Sequence, residues 1–265
     1  MIHAIQTAID AIENELGVRV LYAAESGSRA WGFASPDSDY DVRFVYAHPQ
    51  DWYLSVFESR DVIERMLPGD LDVSGWDLRK SLRLMSKCNL AFNEWFDSPI
   101  VYREDAAFAA EIRALIPRYF QPARALFHYL SMASSTHADY LFGEHVRLKK
   151  VFYFLRPVLA CRWIEHARTQ PPTEFARLTS ADWVTDEERG WIAELESQKS
   201  AMREGETFLL PAFLARWMPM QLERLSRVGP ALACKHEAEL APLDRLLRDW
   251  SAPRLQPGAS QPPSI

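Results

Sequence analysis

Two aspartates one residue apart, Asp39 and Asp41, stand where an alternating apolar run begins (Val42, Phe44, Tyr46, with Val45 opposite). In a β-strand residues i and i+2 project from one face, so these carboxylates lie side by side, with roughly 6–7 Å between their Cα atoms. Two like charges that close repel, and a divalent cation is the usual remedy. Earlier in the chain Ser26-Gly27-Ser28 closes a first alternating run of Val18, Val20, Tyr22 and Ala24. Glycine lets backbone N–H groups approach an anion with no Cβ in the way, and the hydroxyl of Ser28 adds a donor. A turn suited to phosphate is thus joined to a carboxylate pair suited to a metal.

The elements that must position these groups can be read from spacing. Ile2, Ile5, Ile9, Ile12 and Leu16 form one face of an amphipathic helix that Gly17 stops. A strand follows into the Gly-Ser turn, and residues 29–33 read as a short helix whose free N–H groups point back at Gly27-Ser28. Pro36-Asp37-Ser38 is turn chemistry, and the second strand runs over 40–47. After the breaker Pro68-Gly69 comes a third strand over 71–76, then a helix from Leu78 through Phe92, Trp95 and Phe96 with Asp77 as its N-cap. Beyond residue 105 helical spacing dominates. The fold class expected is therefore α+β: a small mixed-sheet domain over 1–105, an α-helical domain over 106–250, and a disordered tail over 251–265 rich in Pro, Ser, Gln and Gly.

Composition narrows the function. A net charge of −6 means that the surface as a whole does not attract nucleic acid, so any such contact needs a local basic patch. The three cysteines, Cys88, Cys161 and Cys234, are far apart and form no C-x-x-C pair, which favours reduced thiols in a cytoplasmic protein. The apolar run over 151–164 is broken by Arg156 and Arg162, so no membrane span is expected, and the N-terminus lacks the pattern of a signal peptide. Phe33-Ala34 stand where a Walker motif needs Lys and Ser or Thr, which removes the ATPase reading of Gly27 to Gly32. His236-Glu237 lacks the second histidine of a zinc-protease helix.

Gly-Ser after a strand with Asp-x-Asp at the start of the next resembles the signature of the DNA polymerase beta nucleotidyltransferase superfamily. The fuller string, Ser26 to Phe33 with Ser38-Asp39-Tyr40-Asp41-Val42-Arg43-Phe44, is similar to a subgroup of predicted bacterial nucleotidyltransferases linked to RNA repair. The likeness continues through Val73-Ser74-Gly75-Trp76-Asp77 and into Arg147-Leu148-Lys149-Lys150. It implies transfer of an NMP group from a nucleoside triphosphate to an acceptor hydroxyl, assisted by Mg²⁺ or Mn²⁺. On that resemblance Asp39 and Asp41 are metal ligands, Gly27 and Ser28 face the β- and γ-phosphates, and Arg29 is either a second phosphate contact or a solvated arginine.

The pattern also requires a third carboxylate on a neighbouring strand. Asp72, which heads the third strand, is placed first, as a metal ligand; Asp77 remains the alternative although it also suits a helix cap, and Asp70 reads as a turn residue. In the helical region His145, Lys149, Tyr153 and Arg156 share one helical face, opposite a stripe of Leu148, Phe152, Leu155 and Leu159. The resemblance assigns nucleotide contact to Lys149 and Tyr153, against the alternative of a solvated basic face, and Pro157 implies a kink. Trp31, next to the phosphate turn, is the tryptophan expected to shape a nucleotide pocket. The expected acceptor is an RNA end, with a protein hydroxyl as in AMP-adding relatives, an antitoxin-like partner, or a non-catalytic nucleotide or RNA sensor as alternatives.

Overall fold

The computed structural model describes residues 1–201, 205–233 and 238–252. The chain begins with α1 (Ile2–Leu16), which buries Ile5, Ile9 and Ile12 and ends at Gly17 in the left-handed conformation. It continues through β1 (Arg19–Glu25), α2 (Gly27–Trp31), β2 (Tyr40–Ala47), α3 (Gln50–Tyr53), β3 (Val62–Leu67), β4 (Leu71–Asp77), α4 (Leu78–Ser86), α5 (Leu90–Phe96) and β5 (Val101–Glu104). Five strands make one mixed sheet in the order β3-β4-β2-β1-β5. Strands β2 and β4 are parallel, and the other pairs are antiparallel. The expected α+β class is therefore present.

Alternation in β2 decides which face each side chain serves. Val42, Phe44 and Tyr46 pack with α1 on one side of the sheet, while Val45 and Ala47 pack on the other with Leu78 and Leu82 of α4 and with Phe92 and Phe96 of α5. Three features of this region depart from the sequence reading. The helix expected over 78–96 is two, because Cys88 takes a left-handed φ of 55° and Asn89 restarts the chain as the N-cap of α5. The short helix begins at Gly27, not 29, so the Gly-Ser pair is its first turn. Strands β3 and β5 were not anticipated.

The rest is mainly helical: α6 (Ala106–Tyr119), α7 (Pro122–Tyr140), β6 (His145–Arg147), α8 (Leu148–Ala167), α9 (Phe175–Thr179), α10 (Asp186–Ala201), β7 (Thr207–Leu209), α11 (Ala212–Ser226) and α12 (Ala241–Ser251). Strands β6 and β7 pair as a separate ribbon. A second core joins α7, α8, α9, α10 and α11 and takes in Phe33 and Leu90. The last strand of the main sheet ends at Glu104, but Phe108 and Ile112 of α6 and Leu246 and Trp250 of α12 pack with the sheet and α5. Helix α8 runs on through Pro157. No helix among the described residues is long and apolar enough to cross a membrane. The tail from residue 253, Cys234 and His236-Glu237 lie outside the described residues.

Candidate active site

The parallel register of β2 and β4 sets Asp41 directly beside Asp72. Residues in register on adjacent strands project from the same face, so the two carboxylates are neighbours across one inter-strand gap of about 4.8 Å. Arg43, two residues beyond Asp41 and hence on its face, lies between them: Nη2 donates to Asp41 Oδ1 at 2.9 Å and to Asp72 Oδ2 at 2.8 Å. Nη1 donates to the backbone carbonyls of Val42 and Asp72. Asp39 sits one residue before β2 and is exposed. Among the described residues no three His, Cys, Asp or Glu side chains close into a cation cage.

The Gly-Ser turn meets the carboxylates at close range. Gly27 has a φ of +61°, and a Cβ built there would lie 2.3 Å from Asp41 Oδ2. Only a residue without a side chain leaves room for that oxygen. The two strand ends are tied on both sides of the turn: Ser26 N donates to Asp41 O at 2.8 Å, and Asp41 N donates to Glu25 Oε1 at 2.9 Å. Glu25 is fully buried, and its other oxygen accepts from Tyr102 Oη. Ser28 is buried in α2.

Arg29, expected at the phosphates, is otherwise engaged. Its Nε donates to Asp39 O at 3.0 Å and its Nη2 to Ser38 O at 2.6 Å, and the guanidinium lies 3.8 Å from the centre of the Tyr40 ring. It fixes the segment that carries Asp39.

Electrostatics follow from these contacts. Burial raises the Asp41 carboxyl above its ordinary range; the Arg43 charge opposes this, the Asp72 and Asp39 charges add to it, and the Lys149 charge lowers it. Burial likewise raises Glu25, offset by the hydrogen bonds from Tyr102 and the Asp41 backbone N–H.

Lys149 and Tyr153 are in the first turns of α8. The Lys149 ammonium is 5.7 Å from the Tyr153 ring centre, and Tyr153 meets Trp31 edge-on at 5.4 Å. Lys150, next along, has its ammonium 3.8 Å from the Tyr140 ring centre, and burial together with the charges of Lys149 and Arg147 lowers its pKa. The structure thus brings Gly27, Ser28, Asp41 and Asp72 together, with Lys149 facing them electrostatically. The other two members of the proposed basic face do not belong to it. His145 is in β6, one turn short of the helix, and Arg156 is 2% exposed, paired with Glu94 and 4.5 Å from the Trp31 ring centre.

Asp77, the alternative third carboxylate, is at the opposite end of β4. Five residues along a strand separate it from Asp72, about 16 Å. Its Oδ1 accepts from the backbone N–H groups of Arg79 and Lys80, and its Oδ2 accepts from Tyr53 Oη at 2.6 Å. It is the cap of α4, and it does not reach the Asp41 mouth. Asp70, with a φ of 55°, is a turn residue whose carbonyl accepts from Tyr40 N.

Two residues of this mouth escaped the sequence reading. Arg43 was within reach of it, since the alternation that pairs Asp39 with Asp41 also places Arg43 on their face. Glu25 carries no such signal, because its role depends on the fold-back of β2 onto β1.

The donors at the mouth are carboxylate oxygens, the set that hard cations such as Mg²⁺ and Mn²⁺ take. Asp41 and Asp72 already converge on one positive charge, that of Arg43, and Gly27 leaves the cradle open beside them. A Gly-Ser turn at one strand end thus stands beside paired carboxylates on two parallel strands of a mixed sheet. The model of the RNA repair pathway DNA polymerase beta family, RlaP, matches residues 1–249. The uncharacterized protein YcgL of Bacillus subtilis (strain 168) is 43% identical over 239 residues, which is 89% of this chain and 91% of that relative. The chain belongs to the RNA repair pathway DNA polymerase beta family.

Proposed function

We propose that the protein is a metal-dependent nucleotidyltransferase that moves an NMP group from a nucleoside triphosphate to an acceptor hydroxyl, releasing pyrophosphate. The observation that carries this reading is the side-by-side placement of Asp41 and Asp72 on parallel strands, against a Gly27 that has no room for a side chain. Asp41 and Asp72 would hold Mg²⁺ or Mn²⁺, with Asp39 adding an oxygen from the loop before β2. A bound divalent ion supplies charge neutralisation at the phosphates and lowers the pKa of the attacking hydroxyl. Gly27 and Ser28 offer N–H and hydroxyl donors to the triphosphate, Lys149 adds positive charge from α8, and Tyr153 with Trp31 offers an aromatic wall for the base. Arg29 acts by holding the Ser38 and Asp39 carbonyls, which positions the Asp39 carboxylate. The family description favours an RNA end as acceptor.

The test is transfer of label from each NTP, with Mg²⁺ or Mn²⁺, to RNA, to protein or to the chain itself. Asp41→Asn and Asp72→Asn should each reduce transfer by about 10²-fold or more, as expected when a ligand of a charge-stabilising metal is removed. Absence of labelled product with every acceptor, or wild-type levels of product from both variants, rules the reading out.

One observation favours a second reading, a non-catalytic nucleotide or RNA sensor: the Arg43 guanidinium already bridges Asp41 and Asp72, where a cation would sit. Metal-dependent NTP binding with no pyrophosphate release would select that reading.

A further inference from the structure

Away from the carboxylate mouth, α5, α6, α9 and the segment before α9 line an open cleft of about 330 Å³. That volume is within the range of about 300–1,000 Å³ typical of small-molecule sites. Phe96, Ile116 and the Pro171-Pro172 pair give it apolar walls. Two carboxamides line it as well, Asn93 from α5 and Gln170 from the segment. Asn93 is 2% exposed, yet among the described residues neither its Oδ1 nor the Oε1 of Gln170 has a hydrogen-bond partner. An unserved buried carbonyl is a standing cost to the fold, and natural proteins keep few of them. Helix α5 could carry a leucine at position 93 without that cost, so the polarity calls for an explanation outside the fold itself.

The rim supplies charge. Arg113 donates to Phe96 O and to Glu104, and Arg177 makes one long contact, 3.4 Å, to Asp97 Oδ1. Each guanidinium has five N–H donors, so both retain donors for an anion. Asp97 is the acidic neighbour, and its Oδ2 is occupied by Thr173 N at 2.7 Å. Two carboxamides thus line the slot beside its apolar walls, the type of group that pairs with the edge of a nucleobase, and the two arginines on its rim suit a phosphate.

We infer that this cleft is a second nucleotide site, which takes one nucleoside monophosphate unit with its base between Asn93 and Gln170 and its phosphate on Arg113 and Arg177. The unit is either a free mononucleotide or one residue of an RNA strand. The inference does not depend on the catalytic reading, because none of these side chains belongs to the carboxylate mouth.

Equilibrium dialysis of the full-length chain against radiolabelled AMP, CMP and a hexaribonucleotide, all in EDTA, tests it with metal-dependent binding suppressed. The wild type should bind at least one probe. Binding of the mononucleotides identifies a free nucleotide as the source, and binding of the hexamer alone identifies a strand. Asn93→Leu with Gln170→Leu should weaken binding at least tenfold, while Asp41→Asn with Asp72→Asn should leave it unchanged. Asn93→Leu alone should also raise Tm, since it removes the unserved carbonyl, and a purely structural asparagine would lower it. Arg177→Gln changes an exposed side chain and cannot unfold the protein; it should weaken AMP while sparing adenosine. No binding of any probe at millimolar concentration, wild-type binding by the double leucine variant and by Arg177→Gln, or loss of binding in the aspartate variants would each overturn the inference.

Discussion

A methyl group on residue 27 would collide with the Asp41 carboxylate, and it would do so on a backbone already in the left-handed region. Gly27→Ala therefore carries two penalties, about 1–2 kcal/mol for the conformation and a further displacement of Asp41. The expected result in urea unfolding is a loss of about 2 kcal/mol or more, with Mn²⁺ binding weakened in parallel. Unchanged stability and binding would show that the contact is not a constraint.

Arg43 makes the opposite prediction. Its guanidinium must leave the space between Asp41 and Asp72 before a cation can take both oxygens, so Arg43→Gln should tighten Mn²⁺ binding, read by electron paramagnetic resonance, by about tenfold (1.4 kcal/mol). Weaker binding in the variant would instead make Arg43 an organiser of the pair. At this scale the sequence was most legible where spacing and residue type fix geometry, as where Gly27 meets the Asp41 carboxylate, whereas Asp39, expected beside Asp41 on the strand, lies one residue before it and is exposed. The sequence was least legible where a side chain has two uses: Arg29 has the composition of a phosphate ligand, but its donors go to carbonyls ten or fewer residues away.

Among the elements, β4 carries a carboxylate near each end, and only one end faces the turn. Asp77 caps α4 and accepts from Tyr53, so Asp77→Ala should cost about 2 kcal/mol from the lost cap and the orphaned hydroxyl. Asp77→Asn should leave Mn²⁺ affinity unchanged, whereas Asp72→Asn should weaken it. Equal losses from the two variants would contradict the placement of Asp72 beside Asp41. Asp77 also predicts a pH dependence. Burial raises its carboxyl above the ordinary value despite hydrogen bonds from Tyr53 and two backbone N–H groups. A raised folded pKa means that the folded state holds the proton more tightly, so this contribution is complete below the unfolded pKa near 3.9 and disappears as pH rises through the folded value. The Tm of the wild type relative to Asp77→Asn should accordingly fall as pH rises from 4, and a gap independent of pH would refute the shift.

The same scale shows why two strands were missed. In β3 no position is fully buried, because it is an edge strand carrying Glu64 and Arg65, and β5 is four residues long. Their identity comes from pairing with β4 and β1, which no local pattern reports.

Across the whole molecule, the sheet core and the helical core meet at Glu94. It accepts from Trp31 Nε1 at 3.3 Å and Tyr129 Oη at 2.6 Å, and it pairs with Arg156 at 3.0 Å. Arg156 in turn donates to Thr173 O and lies against Trp31, so one carboxylate links α5, α2, α7 and α8. Sequence spacing placed Arg156 on an open basic face because nothing local announces a partner on a distant helix. Removing one member of such a pair leaves the other charge buried, a loss of about 3–5 kcal/mol, whereas replacing both with apolar residues is often close to neutral. Glu94→Gln should therefore destabilise strongly, and Glu94→Leu with Arg156→Met should recover part of that loss, less the cost of leaving the Tyr129 hydroxyl and the Trp31 N–H without an acceptor. Because Trp31 ends the short helix that the Gly-Ser turn begins and touches both Arg156 and Tyr153, the double variant should still bind NTP more weakly than the wild type. Full recovery of stability and of NTP affinity together would mean that the junction only holds the cores and does not set the wall of the site.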